Sequence, residues 1–159
     1  MEIAGEHHIQ CPRDEVWTAL NDPEVLRCTL PGCESLEQQA DNDFQARVKS
    51  KIGPVKATFN VKVTLENLDP PRSYTLSGEG QGGVAGFARG SADVQLEERD
   101  KTTLLRYKAQ FRVGGKLAQV GSRLVTGAAR KTADQFFTNF AAYLNPTEPD
   151  SQPAGSGGG

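Results

Sequence analysis

Apolar and polar residues alternate along much of the chain, and this pattern predicts a protein built largely of β-strands. The clearest case is residues 55–66, where every second residue is apolar and the residues between are polar or charged. Such alternation is typical of an antiparallel sheet with one covered face and one face in water. Related patterns predict further strands at residues 2–10, 34–39, 44–49, 72–80, 86–97 and 102–113.

Two short helices are predicted directly after the first strand. Pro12 suits the first turn of a helix, and the stripe formed by Val16, Trp17 and Leu20 has helical spacing. Asn21-Asp22-Pro23 ends this helix and starts a second one, over about residues 23–27.

One long helix is predicted from Leu117 to Leu144, since Pro146 lies just past its end. The side chains on its apolar face are small in the middle of the helix and bulky near its C-terminal end, where three phenylalanines lie. Small residues facing a sheet indicate either close packing or a space left beneath the helix, and the helix alone does not separate the two. The small residues are Gly121, Ala128, Ala129, Thr132 and Ala133, and the bulky ones are Phe136, Phe137 and Phe140.

The predicted fold class is therefore α+β. A curved antiparallel sheet of about seven strands wraps around the long C-terminal helix in a helix-grip, because the sheet cannot bury its apolar face alone. Residues 1–144 form this domain, and the polar segment 145–159 lacks hydrophobic periodicity and is predicted to be disordered.

Composition narrows the possible functions of this chain of 159 residues. Its formal net charge of −2 argues against a nucleic-acid partner, which would require a basic surface. The sequence contains no run of about 18 apolar residues, so no membrane span is predicted. The N-terminus lacks the features of a signal peptide. Three cysteines, an odd number, favour free thiols in a reducing compartment, so we expect a cytoplasmic protein.

Three candidate chemical motifs are weak. Cys28 and Cys33 have neither C-x-x-C spacing nor further ligands, and His7 and His8 point to opposite faces of their strand, so no metal site is predicted. The match to G-x-G-x-x-G at residues 78–83 precedes another strand rather than a helix, which argues against a dinucleotide site. This glycine-rich stretch favours bent strands at an opening, with a flexible lid as the functional variant.

Several stretches of the chain resemble the G subunit of carbon monoxide dehydrogenase, whose family is a branch of the START/birch-allergen-like (SRPBCC) superfamily. The resemblance covers about residues 1–144. The matching stretches are residues 12–17 (PRDEVW), 20–23 (LNDP), 30–33 (LPGC), 82–87 (GGVAGF), 113–124 (VGGKLAQVGSRL) and 136–137 (FF).

The resemblance implies an accessory protein that serves a molybdenum hydroxylase of the carbon monoxide dehydrogenase type. Its expected roles are to help recruit that enzyme to the inner face of the membrane and to handle a lipophilic electron acceptor such as a quinone. Family members often carry a membrane-associating C-terminal extension, whereas residues 145–159 are short and polar.

The leading hypothesis is non-catalytic binding of a lipophilic small molecule in an internal cavity, with no cofactor and no catalytic residues. Tyr107 and Thr132 are the predicted hydrogen-bond partners of a ring carbonyl. The full predicted lining is Leu30, Phe44, Val48, Phe59, Val61, Val63, Leu76, Tyr107, Phe111, Leu124, Val125, Ala128, Thr132 and Phe136.

Two alternatives stay open at this stage. A small hydrolase or cyclase of the same fold would need a nucleophile with a base, and the predicted inner faces offer His7, Tyr74 and Tyr107. A docking adaptor without a ligand would use the charged ribbon of the long helix. That ribbon consists of Lys116, Arg123, Arg130 and Asp134.

Overall fold

A computed structural model describes residues 1–145 of the protein, and the remainder of the predicted polar tail lies outside the described residues. Seven strands and four α-helices follow one another along this part of the chain. The elements are β1 Glu2–Ile9, α1 Arg13–Leu20, α2 Pro23–Thr29, β2 Cys33–Ala40, β3 Asp43–Ile52, β4 Val55–Asp69, β5 Ser73–Gln81, β6 Phe87–Arg99, β7 Thr102–Gly114, α3 Lys116–Val120 and α4 Ser122–Leu144.

The strands form one antiparallel sheet in the order β1-β7-β6-β5-β4-β3-β2. Each pair from β2 to β7 is consecutive in sequence, and β1 closes one side by pairing with β7. The alternation of the sequence places the apolar residues of every strand on one face, which α4 covers. The predicted helix-grip with seven strands, and with two short helices after the first strand, is confirmed.

Within residues 1–145, the buried core residues form two clusters. The larger one lies where α1, α2 and the C-terminal half of α4 meet the sheet, and it contains the fully buried Ile9, Leu105 and Phe140. The smaller one lies at the other end of the sheet, where Leu117 of α3 packs with Phe59 and Ala85.

The C-terminal half of α4 is held firmly against the rest of the protein. Asn139 Nδ2 donates a hydrogen bond of 2.9 Å to the carbonyl oxygen of Thr29, the last residue of α2. The helix α2 is itself capped by Asp22, whose carboxylate accepts from the backbone N–H of Glu24 at 2.9 Å. These contacts position the end of α4 over the larger core cluster.

The prediction of one uninterrupted helix from Leu117 to Leu144 is wrong. Gly121 has a φ of 102° and separates α3 from α4. Side chains with a Cβ rarely adopt this conformation, so the glycine allows a break at which the chain changes direction. The sequence pattern conceals the break because Leu117 and Val125 are both buried, on either side of it.

Replacing two glycines of this region by alanine should change the free energy of unfolding in opposite directions. Gly127 lies inside α4 with open space around its Cβ position, so Gly127→Ala should raise the free energy of unfolding by about 0.5–1 kcal/mol. Gly121→Ala should lower it, because alanine is strained at this φ. Urea unfolding of both variants tests the pair, and stabilisation by Gly121→Ala would contradict the break between α3 and α4.

Candidate functional site

The inner face of the sheet carries unusually small side chains in its middle strands. One row crosses four strands from Val63 through Gly78 and Gly90 to Phe111. The next row runs from Leu65 through Leu76, Ala92 and Ala109 to Ile3. The central strands β5 and β6 therefore contribute mainly glycine and alanine, which leaves room above them.

The helix α4 crosses this face of the sheet. Its backbone approaches the sheet at β1 and at β3, which lie towards opposite sides of the sheet. The half-buried helix residues here are also small, namely Ala129 and Ala133, and both pack against the larger core cluster. Val61, Val63, Leu76 and other inner residues of the central strands are accordingly only half-buried, although the helix lies above them. The middle of the sheet and the helix above it thus carry smaller, less buried side chains than the two core clusters do.

The structure brings most of the predicted lining to this inner side of the domain. Cross-strand pairs place Phe44 beside Val63 and Val48 beside Phe59. Buried members of the predicted set are Phe44, Phe59, Tyr107 and Val125. Half-buried members are Leu30, Val48, Val61, Val63, Leu76, Phe111, Ala128 and Phe136.

Two predicted lining residues lie at the surface instead. Leu124 is 55% exposed and packs beside Gly53 at the β3–β4 turn, and the side chain of Thr132 is exposed. The reason is the phase of the helix, since the inner face of α4 runs through Val125, Ala129 and Ala133. That face is rotated by about 100°, one residue, from a stripe through Leu124, Ala128 and Thr132. The exposed position of Thr132 therefore gives no support to the suggested hydrogen bond to a ligand carbonyl beneath α4.

A polar cluster lies where α4 passes β1. The ring of His7 stacks on Phe137 with centroids 4.4 Å apart, and it lies nearly parallel to Tyr107 at 6.1 Å. His7 Nε2 is 3.6 Å from Asp134 Oδ1, which is too far for a hydrogen bond. This buried nitrogen has no hydrogen-bond partner among the described residues. His8 points the opposite way, to the surface, as its strand position predicts.

Burial governs the protonation of this cluster. Desolvation lowers the pKa of His7 below its ordinary value, and the neighbouring carboxylate of Asp134 opposes that change. Desolvation also raises the pKa of Tyr107, with Asp134 adding to the rise and Arg130 opposing it. At neutral pH His7 and Tyr107 are thus uncharged groups that can hydrogen-bond within an otherwise apolar space.

The sequence pattern identifies His7 as inward-facing but does not associate it with Asp134. The pattern places Asp134 on an exposed charged ribbon, and its side chain is indeed 61% exposed. The missing signal is the place where α4 passes β1, which is decided by packing between distant parts of the chain. The other ribbon residues, Lys116, Arg123 and Arg130, are exposed, with Lys116 on α3 rather than α4.

The remaining candidate chemistry has structural roles. Tyr74 is buried edge-on against Trp17, with ring centroids 5.5 Å apart, and burial raises its pKa. The glycine-rich segment forms the end of β5 and a 3-10 turn at Gly83–Ala85 before β6, so no helix follows it. Within residues 1–145, no three His, Cys, Asp or Glu side chains are grouped as metal ligands. None of the helices there is long and apolar enough to cross a membrane.

Solved structures define the class of fold. A START superfamily protein from Mycobacterium smegmatis superimposes with a TM-score of 0.71 at 12% identity, covering 91% of this chain and 97% of that chain. The Zhui aromatase/cyclase from Streptomyces sp. R1128 gives 0.68 at 12% identity, with coverages of 96% and 99%. The protein therefore has the START-like fold.

A more similar structure and a family model narrow the assignment. A conserved protein from Geobacillus kaustophilus is 28% identical, with a TM-score of 0.86 over 92% of this chain and 97% of that chain. The family model of the carbon monoxide dehydrogenase G subunit (CoxG) matches residues 5–145, so the chain belongs to the CoxG family. No curated protein matches the chain significantly. Family and fold together suggest a ligand-binding accessory protein.

The placement of His7 predicts its titration. Its pKa, followed by NMR, should lie below 6.5, and Asp134→Asn should lower it further by removing the stabilising carboxylate. Because the folded protein binds this proton less readily than the unfolded chain, the stability contributed by neutral His7 is complete above about pH 6.5 and is lost as the pH falls. A pKa that rises in Asp134→Asn would contradict this geometry.

Proposed function

We propose that the protein binds a lipophilic small molecule, such as a quinone, in the space between the middle of the sheet and α4. The observation that carries this proposal is the divided core. Glycines and alanines of β5 and β6 lie on the sheet face that α4 covers, the half-buried residues of α4 there are also small, and the backbone of the helix approaches the sheet at β1 and β3. An ordinary core would fill this middle with large side chains, since protein interiors are close-packed.

The chemistry of the space suits a largely apolar ligand with a few polar atoms. Val61, Val63 and Leu76 lie on the sheet side of the proposed space. Burying an isoprenoid chain against them would favour binding by about 25 cal/mol for each Å² of apolar surface removed from water. Tyr107 is the predicted lining residue whose hydroxyl remains a candidate partner for a ring carbonyl. The Nε2 atom of His7, buried beside it and without a hydrogen bond among the described residues, is a second candidate.

The same arrangement favours binding over catalysis. His7 and Asp134 form an acid–base pair beside the proposed binding space. Their side-chain atoms are 3.6 Å apart, which is too far for a hydrogen bond. The aromatic rings around His7 are those of Phe137 and Tyr107, and neither supplies a nucleophile activated by a base. We therefore propose a carrier or sensor of the ligand rather than an enzyme.

Membership of the CoxG family supports a role beside a molybdenum enzyme of the carbon monoxide dehydrogenase type. In this proposal the protein aids membrane recruitment of that enzyme or couples it to a lipophilic electron acceptor. It would act in the cytoplasm or at the inner face of the membrane.

The test is extraction of protein purified without detergent, followed by mass spectrometry of the extract, together with titration of a fluorescent lipid probe. We expect a bound lipid or quinone and saturable probe binding. Ala129→Trp should weaken probe binding by about tenfold or more, roughly 1.4 kcal/mol, because the indole enters the space under α4. Ala142→Trp is the matched control, since Ala142 is exposed on the same helix.

Thermal unfolding of both tryptophan variants verifies that they are folded. An empty extract and no probe binding by the folded wild-type protein would contradict the proposal. Equal binding by Ala129→Trp and the wild-type protein would exclude the space beneath α4.

A further inference from the structure

A second concave surface lies on the outer face of the sheet, away from α4. It is an open groove of about 850 Å³. Its walls are outward-facing polar residues of four consecutive strands, β4 to β7, together with the start of β1. Those side chains are Lys62, Thr64, Ser77, Glu79, Arg89, Ser91, Gln110, Arg112 and Glu2.

The register of the sheet aligns four charged residues of this groove in one row. Lys62 pairs with Glu79, Glu79 with Arg89, and Arg89 with Arg112. Two arginines thus occupy directly opposed positions on β6 and β7, where Cβ atoms are about 5 Å apart and like charges repel.

The two arginines are also unpaired. Within residues 1–145, neither Arg89 nor Arg112 forms an ion pair or a side-chain hydrogen bond. Arg106, on the same strand as Arg112, behaves differently and binds both Glu6 and Glu97, at 2.7 and 2.8 Å. Two adjacent unpaired guanidinium groups in a groove are a binding arrangement for an anion.

Neighbouring residues limit the size and position of that anion. Ser91, in the next row, faces the groove beside Arg89, whereas Ser77 already donates a 2.8 Å hydrogen bond to Glu66. Glu79 lies on one side of the arginine pair. Glu2 lies on the other side, where its carboxylate accepts a 3.2 Å hydrogen bond from Gln110. The two carboxylates confine an anion to the strip between β6 and β7.

We propose that Arg89 and Arg112 bind a phosphate group in this outer groove. Guanidinium groups bind phosphate oxygens through paired, charge-assisted hydrogen bonds, and a bound phosphate would relieve the repulsion between the arginines. Lys62 adds positive charge, and the hydroxyl of Ser91 adds a donor. The phosphate belongs either to a soluble phosphorylated molecule or to a phospholipid headgroup.

The surrounding sequence supports a site for an anion even though the whole chain is slightly acidic. No Asp or Glu occurs in residues 80–92 or in residues 101–133, and these segments supply Arg89 and Arg112. The basic residues of these two segments are therefore separated along the sequence from acidic residues, which the overall net charge of −2 does not show.

Two binding measurements on the whole protein separate the sources of phosphate. Calorimetric titration with inorganic pyrophosphate tests a soluble ligand. Co-sedimentation with phosphatidylcholine vesicles, with and without phosphatidylglycerol, tests a headgroup. Saturable binding in either measurement, lost by about tenfold or more in Arg89→Gln and Arg112→Gln, supports the proposal and identifies the source.

Two further variants make the test specific. Glu79→Gln should strengthen binding, because it removes the carboxylate next to Arg89. Lys51→Gln is the matched control, since it removes one exposed positive charge outside the groove and should change binding little. The arginine variants should remain folded, with unchanged or higher thermal stability, because each relieves the repulsion between Arg89 and Arg112.

Absence of binding in both measurements would overturn the proposal. Binding that Lys51→Gln weakens as much as the arginine variants do would also overturn it, since the ligand would then be attracted to positive charge in general and not to the groove.

Discussion

The structure depends on how a single helix covers a sheet that is much wider than itself. The sheet has seven strands, and its apolar face requires a cover. The helix α4 is anchored at its C-terminal end by Phe140 and by the hydrogen bond from Asn139 to Thr29. Its other end lies near the β3–β4 turn. Between these anchors, the inner faces of β5 and β6 carry several glycines and alanines, and the buried residues of the described chain form two clusters.

Much of this fold follows from the sequence because the strands have a clear two-residue period. Residues 55–65 alternate so regularly that their face and register are determined by burial alone. The break at Gly121 could not be found this way, since a glycine between two apolar helical segments is compatible with a continuous helix. The misplacement of Leu124 and Thr132 has another cause: the apolar arc of α4 is wide, and the sequence does not show which part of that arc faces the sheet.

The candidate site is only partly predictable for a related reason. Strand residues such as Val63 and Phe44 point inward whatever the exact position of the helix. The pairing of His7 with Asp134 depends on where α4 passes β1, which is a property of packing between distant parts of the chain. The outer groove depends on strand register, because Arg89 and Arg112 are far apart in sequence and become neighbours only across β6 and β7.

The central claim is that accessible apolar space lies between the middle of the sheet and α4. The most direct measurement is a crystal structure determined under xenon pressure, because xenon enters apolar cavities without requiring the natural ligand. We expect xenon between Val63 and Leu76 of the sheet and Ala129 of α4. Close-packed side chains at that position, with no xenon there, would contradict it.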